Sequence, residues 1–68
     1  MRKTYTFARK SPFSGKVNSL DITLDMGDYL NWELGGDHIQ RAMPYLTADE
    51  REFLMTGITA EEWEKAFG

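Results

Sequence analysis

Two stretches near the N-terminus alternate between apolar and polar residues, which is the pattern of a β-strand with one buried face. They cover residues 3–8 and 18–24, and the segment 11–15 between them carries residues typical of turns. The pattern predicts an antiparallel hairpin, whose apolar face needs a cover because a lone hairpin is marginal in water. The residues expected on that face are Tyr5, Phe7, Leu20, Ile22 and Leu24.

The segment that follows changes to the spacing of three and four residues that builds one apolar face of a helix. Asp25 is expected to cap this helix and Gly35-Gly36 to end it, because glycine enters the left-handed C-terminal conformation freely. With this face toward the core, Trp32 lies off the apolar stripe, and its exposure and its burial against the N-terminal segment are equal alternatives. The residues of the face are Met26, Tyr29, Leu30 and Leu34.

A short helical turn is predicted next. Asp37 is expected to cap it, and its apolar residues are Ile39, Ala42 and Met43. Pro44 disfavours helical geometry at the residue before it, so the turn is expected to end there.

The C-terminal part of the chain carries one helix-start signal twice. Thr47 is followed three residues later by Glu50, and Thr59 is followed in the same way by Glu62. In such a capping box the threonine hydroxyl and the carboxylate each accept a hydrogen bond from a backbone N–H group at the helix N-terminus. Two further short helices are therefore predicted to begin at these threonines.

Ile58 is expected to connect these two helices. Gly57 ends the first helix, and Ile58 is placed to touch Phe53 in a Schellman arrangement. The same residue is spaced to form a hydrophobic staple with Trp63 of the last helix. Ile58 is therefore predicted to be a buried pivot, and Phe67 extends the apolar stripe that begins at Trp63.

These elements predict an α+β fold in which a two-stranded antiparallel β-hairpin packs on three or four short α-helices. The 68 residues are expected to form one domain, with a basic hairpin at 1–24 and short acidic helices at 25–68. The chain has no cysteine, so its stability must come from apolar burial. The predicted core consists of Tyr5, Phe7, Leu20, Ile22, Leu24, Leu30, Leu34, Ile39, Met43, Leu46, Phe53, Leu54, Ile58, Trp63 and Phe67.

Charge divides the chain into two parts. Residues 1–16 hold five basic residues and no acid, a charge of +5, whereas residues 17–68 hold three basic residues against eleven acids, a charge of −8. Basic residues interleaved with aromatic ones suit single-stranded nucleic acid, where charge follows the backbone and rings stack on bases. The alternative is that these residues only protect an edge strand from aggregation. The basic residues are Arg2, Lys3, Arg9, Lys10 and Lys16.

The sequence offers no constellation of residues for catalysis. Its single histidine, His38, has no cysteine or second histidine at a metal-ligand spacing, and no glycine-rich phosphate loop is present. The acidic groups at 49–52 and 61–64 fall in the first turns of predicted helices, where carboxylates stabilise the positive end of the helix dipole. We therefore expect neither an enzyme nor a metal or cofactor site.

One pattern in the C-terminal half is fairly specific as a string. Residues 39–46 contain Ile-Gln, Pro and Leu, residues 49–59 contain Asp-Glu-Arg-Glu-Phe and Thr-Gly-Ile-Thr, and residues 61–63 are Glu-Glu-Trp. This order resembles small uncharacterised proteins encoded by bacteriophages, and the likeness covers roughly residues 18–67. The resemblance implies a phage origin and a location in the host cytoplasm, and it implies no activity.

The function that we expect is that of a small phage-encoded accessory protein, which binds a host or phage protein and modulates it without catalysis. The alternative is nucleic-acid binding through the basic hairpin, and a third hypothesis is that the acidic helices imitate nucleic acid. Trp32, if exposed, is a candidate anchor of an interface, and a homodimer could bury it. No stretch approaches the roughly 20 apolar residues of a transmembrane helix, so no membrane partner is expected.

Overall fold

The chain folds as a hairpin followed by four helices. In the computed structural model, which describes residues 1–68, the hairpin packs one face against the helices. This is the α+β fold that the hydrophobic pattern predicts. The strands are β1 (Arg2–Lys10) and β2 (Val17–Asp25), and the helices are α1 (Met26–Glu33), α2 (Ile39–Ala42), α3 (Ala48–Thr56) and α4 (Ala60–Phe67).

The two strands pair antiparallel in a regular register over all nine residues of each. Both strands are longer than the alternation predicts, and the N–H of Ser11 closes the turn by donating to the carbonyl of Lys16 at 2.8 Å. Directly opposed residues share a face of the sheet. The inner face buries Phe7, Ile22 and Leu24 against the helices.

The outer face of the hairpin is polar. The hydroxyls of Thr4 and Thr23 lie 2.6 Å apart across the strands, and the hydroxyl of Thr6 donates to Asp21 at 2.6 Å. Because these side chains satisfy one another in water, this face needs no cover.

Helix α1 begins as predicted but turns a different face to the core. The side chain of Asp25 accepts from the N–H of Asp28 at 3.0 Å, which confirms the predicted cap. The predicted core residues Leu30 and Leu34, however, are 42% and 79% exposed, so that part of the prediction was wrong. Tyr29, which also belongs to the predicted face, is buried, because its ring centroid lies 5.1 Å from that of Phe7 on β1.

The end of α1 and the loop after it depend on two glycines. A Cβ atom at Gly35 would lie 2.6 Å from the carbonyl oxygen of Asn31, and Gly36 has a φ of +79° that other residues rarely adopt. The pair therefore ends the helix, as predicted.

Helix α2 is a single turn with a different cap from the predicted one. His38 is its N-cap and makes no side-chain capping bond, so the prediction that Asp37 caps the turn was wrong. The N–H of Asp37 donates to the carbonyl of Asn31, which ties this residue to the end of α1. The turn ends at Met43 directly before Pro44, as predicted.

Both predicted capping boxes are present. In α3 the Thr47 hydroxyl accepts from the N–H of Glu50 at 3.1 Å, and the Glu50 carboxylate accepts from the N–H of Thr47 at 2.9 Å. In α4 the corresponding distances between Thr59 and Glu62 are both 3.2 Å. These local bonds fix where α3 and α4 begin.

The end of α3 differs in detail from the Schellman motif that was predicted. Gly57 has a φ of +81° and donates to the carbonyl of Phe53 at 2.8 Å. The N–H of Ile58 donates to the hydroxyl of Thr56 at 3.1 Å rather than to a carbonyl of the last turn. The helix therefore ends in the simpler αL arrangement. Ile58 is buried, as its predicted role requires.

The core lies between the inner face of the hairpin and helices α1, α2 and α3. Four predicted members, Leu20, Leu30, Leu34 and Phe67, are exposed, and Tyr5 and Trp63 are only half-buried. Phe67 was predicted to lie in the core but is exposed, because α4 buries none of its residues fully. The rings of Trp63 and Phe67 pack on Phe13 of the hairpin turn instead. The core cluster consists of Phe7, Ile22, Leu24, Tyr29, Ile39, Met43, Leu46, Phe53 and Leu54.

None of the helices has the length and apolar character that crossing a membrane requires.

Candidate functional site

A groove of about 850 Å³ lies between the hairpin and the last two helices. The hairpin turn and β2 form one wall, α4 forms the other, and the buried ring of Phe53 on α3 lies at its base. The groove is of the size that small ligands and short peptide segments occupy. Side chains on its two walls include Phe13, Lys16, Leu20, Glu61, Lys65 and Ala66.

Three aromatic rings, which we call the aromatic cluster, join the hairpin turn to α4. The ring centroid of Phe13 lies 5.5 Å from that of Trp63 and 5.6 Å from that of Phe67, and the last two rings are 5.1 Å apart. Phe13 is nevertheless 47% exposed and Phe67 is 71% exposed. The cluster thus presents aromatic surface to the solvent beside the groove.

Glu62 holds the two walls of the groove together. Besides capping α4, its carboxylate accepts from the Ser14 hydroxyl at 2.7 Å and from the amide Nδ2 of Asn18 at 2.8 Å. The same Asn18 amide donates to the carbonyl of Gly57 at 3.0 Å. The bonds from Ser14 and from the backbone of Thr59 outweigh partial burial and lower the pKa of Glu62 below its ordinary value of 4.5.

Acidic side chains outnumber basic ones along the groove. Glu50 and Glu62 are occupied by the capping boxes, which leaves Asp49 and Glu61 as the carboxylates that can meet a ligand. Glu61 lies 3.4 Å from Lys65, but both side chains are largely exposed, so this ion pair is weak and easily exchanged for another. The groove therefore favours a ligand with apolar and basic groups.

The five basic residues that the sequence singled out do not form one patch. Arg2 stacks its guanidinium 4.3 Å from the ring centroid of Tyr45, and Arg9 donates to the Tyr29 hydroxyl at 2.7 Å. The structure brings Arg2, Lys3, Arg9 and Lys10 onto β1, whose ends lie roughly 26 Å apart at the usual rise per residue. Lys3 and Lys10 are exposed there, whereas Lys16 lines the groove.

Trp32 lies on the core side of α1. It is half-buried, packs on the core cluster and has its ring centroid 5.7 Å from that of Tyr29. Neither of the two alternatives that the sequence left open holds in full, because Trp32 is half-buried and the ring it packs on is Tyr29 of α1 itself. The apolar side chains that face the solvent here are Leu30 of α1 and its C-cap residue Leu34.

Tyr45 was not singled out from the sequence. Its hydroxyl donates to the Asp28 carboxylate and accepts from the N–H of Asp25, both at 2.9 Å. Burial is the main cause that raises the pKa of Tyr45 above its ordinary value of 10.0. The sequence gives little sign of this role, because the partners of the hydroxyl, Asp25 and Asp28, lie 20 and 17 residues away along the chain.

No group of three or more His, Asp or Glu side chains is arranged to hold a metal ion. His38 is exposed at the start of α2, with no side-chain hydrogen bond in the cap. The groove thus offers shape, aromatic surface and charge to a ligand.

In comparisons with known proteins, no family model, no curated protein and no solved structure matches the chain.

Proposed function

We propose that this chain is a small, non-catalytic binding protein that modulates a partner protein by holding a segment of it in the groove. The observation that carries the proposal is the aromatic cluster. Phe13 and Phe67 expose aromatic surface beside a groove, although an aromatic ring gains more from burial than almost any other side chain. Contiguous exposed apolar surface of this kind marks interaction sites.

The chemistry of the groove defines the segment that fits. Aromatic rings suit an apolar anchor residue, and Asp49 and Glu61 suit a lysine or arginine near it. The resemblance to phage-encoded proteins supports a partner from the host or the phage, met in the cytoplasm of the bacterial host. The proposal needs no catalytic group on this chain.

The proposal is tested by capture of partners from a bacterial lysate with the tagged protein, followed by mass spectrometry. We expect Phe67→Ala to reduce the recovery of a stoichiometric partner about tenfold or more, because one large anchoring contact is worth at least 1.4 kcal/mol. Leu34→Ala is the matched control, since it also removes an exposed apolar side chain but does not belong to the aromatic cluster. A partner that is retained by Phe67→Ala, or lost with Leu34→Ala, contradicts the proposal.

Nucleic-acid binding remains the second candidate because Lys3 and Lys10 are exposed on one strand. The geometry supports it less well, because the rings on the same strand as these lysines are not free to stack on bases: Phe7 is buried and Tyr5 half-buried. The exposed ring of Phe13 lies in the hairpin turn and packs on Trp63 and Phe67. Titration of single-stranded DNA at low salt decides it. Binding that disappears with rising salt and with Lys3→Ala/Lys10→Ala would favour this candidate.

A further inference from the structure

The edge of β1 that faces away from β2 has free backbone hydrogen-bonding groups. In an antiparallel pair the ladder bonds alternate, and the bond from Ser11 N–H to Lys16 places the bonded positions at the odd residues of β1. The N–H groups of Thr4, Thr6 and Ala8 therefore point outward. No bond from another element reaches them, and on this edge only the carbonyl of Ala8 accepts, from the side chain of Arg9.

The side-chain contacts across the strands agree with this assignment. Thr4 faces Thr23 and Thr6 faces Asp21, and both pairs form side-chain hydrogen bonds of 2.6 Å. Side chains come closest at the positions of an antiparallel pair that share no backbone bonds.

Each edge of the hairpin is covered at one end. On β1 the outward carbonyl of Lys10 lies against Gly57, so the open part of this edge runs from Thr4 to Ala8, and on β2 the covered end is at Asp25. The outward N–H of Asp25 donates to the Tyr45 hydroxyl, and α1 begins directly after this residue. The charges also differ, because β1 carries four basic residues and no acid, whereas β2 carries two acids, Asp21 and Asp25, and no basic residue.

The basic charge of β1 limits what can pair with it. A second copy of β1, in antiparallel or parallel orientation, would set basic ends against basic ends, and like charges that face each other across strands are destabilising. The same charges attract a strand with acidic residues. We propose that the outer edge of β1 binds an extended acidic segment of a partner protein as a third strand of the sheet.

In this mode the backbone supplies much of the affinity and the charges select the sequence. The outward groups of Thr4, Thr6 and Ala8 bond to the added strand, while Lys3 and Lys10 meet its carboxylates near both ends of β1. This surface differs from the groove, whose walls are the turn, β2 and α4.

The test uses the full chain and a capped peptide as long as β1 with two adjacent glutamates at each end and alternating threonine and valine between them. Because side chains alternate along a strand, this places one glutamate on each face of the sheet at both ends, as Lys3 and Lys10 require. Binding is followed by NMR, with amide hydrogen exchange as the decisive readout. We expect the bound peptide to slow exchange at Thr4, Thr6 and Ala8 by about tenfold or more and to leave Ser19, Asp21 and Thr23 on the edge of β2 unchanged.

Two pairs of variants, each with its own control, test the backbone groups and the charges separately. Ala8→Pro removes an outward N–H without touching the ladder, and its control Ser19→Pro does the same directly opposite on β2. We expect Ala8→Pro to weaken peptide binding about tenfold or more and Ser19→Pro to have no effect. Lys3→Glu is likewise expected to weaken binding, whereas Arg41→Glu, an equal charge change on α2, has little effect beyond general attraction.

An N-methylated version of the peptide keeps the charges but cannot form the ladder, so the test stands even if Ala8→Pro does not fold. Equal binding of this version, or of single-stranded DNA, shows attraction by charge alone and overturns the proposal. So does peptide binding without protection of the three amides. Protection of these amides that rises with protein concentration alone also overturns it, in favour of a second copy. Phe67→Ala is expected to leave peptide binding unchanged, because Phe67 lies on α4 beside the groove and not on the edge of β1. Loss of peptide binding in this variant would place the peptide at the groove and overturn the proposal.

Discussion

At Gly57 two constraints meet. Its φ of +81° lies in the left-handed region, and a Cβ atom there would lie 2.5 Å from the carbonyl oxygen of Lys10. The first constraint follows from the role of glycine after a helix and was predicted. The second depends on how closely the corner between α3 and α4 approaches the end of β1, which no local pattern reveals.

Gly57→Ala is therefore expected to destabilise the protein more than a positive φ alone explains. Gly15 is the matched control, because its φ of +72° is similar while nothing lies within 4 Å of the added Cβ. We expect Gly15→Ala to lower the free energy of unfolding by about 1–2 kcal/mol. Gly57→Ala adds at least about 1 kcal/mol to that loss, because the contact with Lys10 is with the backbone and cannot move aside cheaply. Urea unfolding measures both, and equal losses contradict the second constraint.

At the scale of elements, hydrogen bonds between near neighbours could be predicted and those between distant ones could not. The Thr59–Glu62 capping box is visible in the sequence because its partners are three residues apart. The bonds from Ser14 and Asn18 to the same carboxylate join β2 and its turn to α4, and nothing in the spacing indicates them. Because these long-range bonds set the position of α4 beside the hairpin, the groove could not be predicted from the sequence, although most of the elements that surround it could be.

The face of α1 shows a second limit. Two apolar faces fit the helical spacing of this segment, and both contain Met26 and Tyr29. The predicted face adds Leu30 and Leu34, whereas the alternative face adds Trp32. Packing decides between them, because Tyr29 and Trp32 form a row of rings that ends on Phe7 of β1. The choice depends on the partner strand and not on α1 itself.

Glu62→Gln is expected to remove part of the acid sensitivity of folding. The pKa of Glu62 is lowered in the folded state, so the unfolded state binds more protons below its ordinary pKa of 4.5. The stabilisation by this group is therefore full above that pH and is lost as the pH falls through the folded-state pKa. Glutamine can still cap the helix but carries no charge. Urea unfolding between neutral and acid pH should give a smaller decrease for Glu62→Gln than for the unmodified chain.

Glu50→Gln is the control for this prediction. Glu50 fills the same capping position in α3, and its carboxylate accepts no bond from the hairpin. If both variants flatten the pH dependence equally, the contacts with Ser14 and Asn18 are not the cause.

At the scale of the whole molecule, the hairpin and α1 to α3 share one core, and α4 is held at its side. The core cluster contains no residue of α4, which is held by the aromatic cluster and by Glu62. A helix with few buried apolar contacts opens at a smaller free energy than the core does.

Native-state hydrogen exchange is therefore expected to show that α4 opens before the rest of the fold. Amides in the second half of α4 should exchange through an opening with a smaller free energy than amides of Ile22 and Phe53, whose side chains are fully buried. An equal opening free energy for α4 and the core would show that the helix and the hairpin unfold as one unit. Such early opening also fits a groove wall that adjusts to what enters it.

The arrangement of the two indoles has a practical consequence for spectroscopy. Trp63 belongs to the aromatic cluster, and its Nε1 is buried without a hydrogen-bond partner, whereas Trp32 lies against Tyr29 on α1. Indole emission depends on the polarity and quenchers around the ring. With Trp32→Phe, the single remaining indole would report on the aromatic cluster, and with Trp63→Phe it would report on the core. The chain thus carries its own pair of optical probes, one for each side of the molecule.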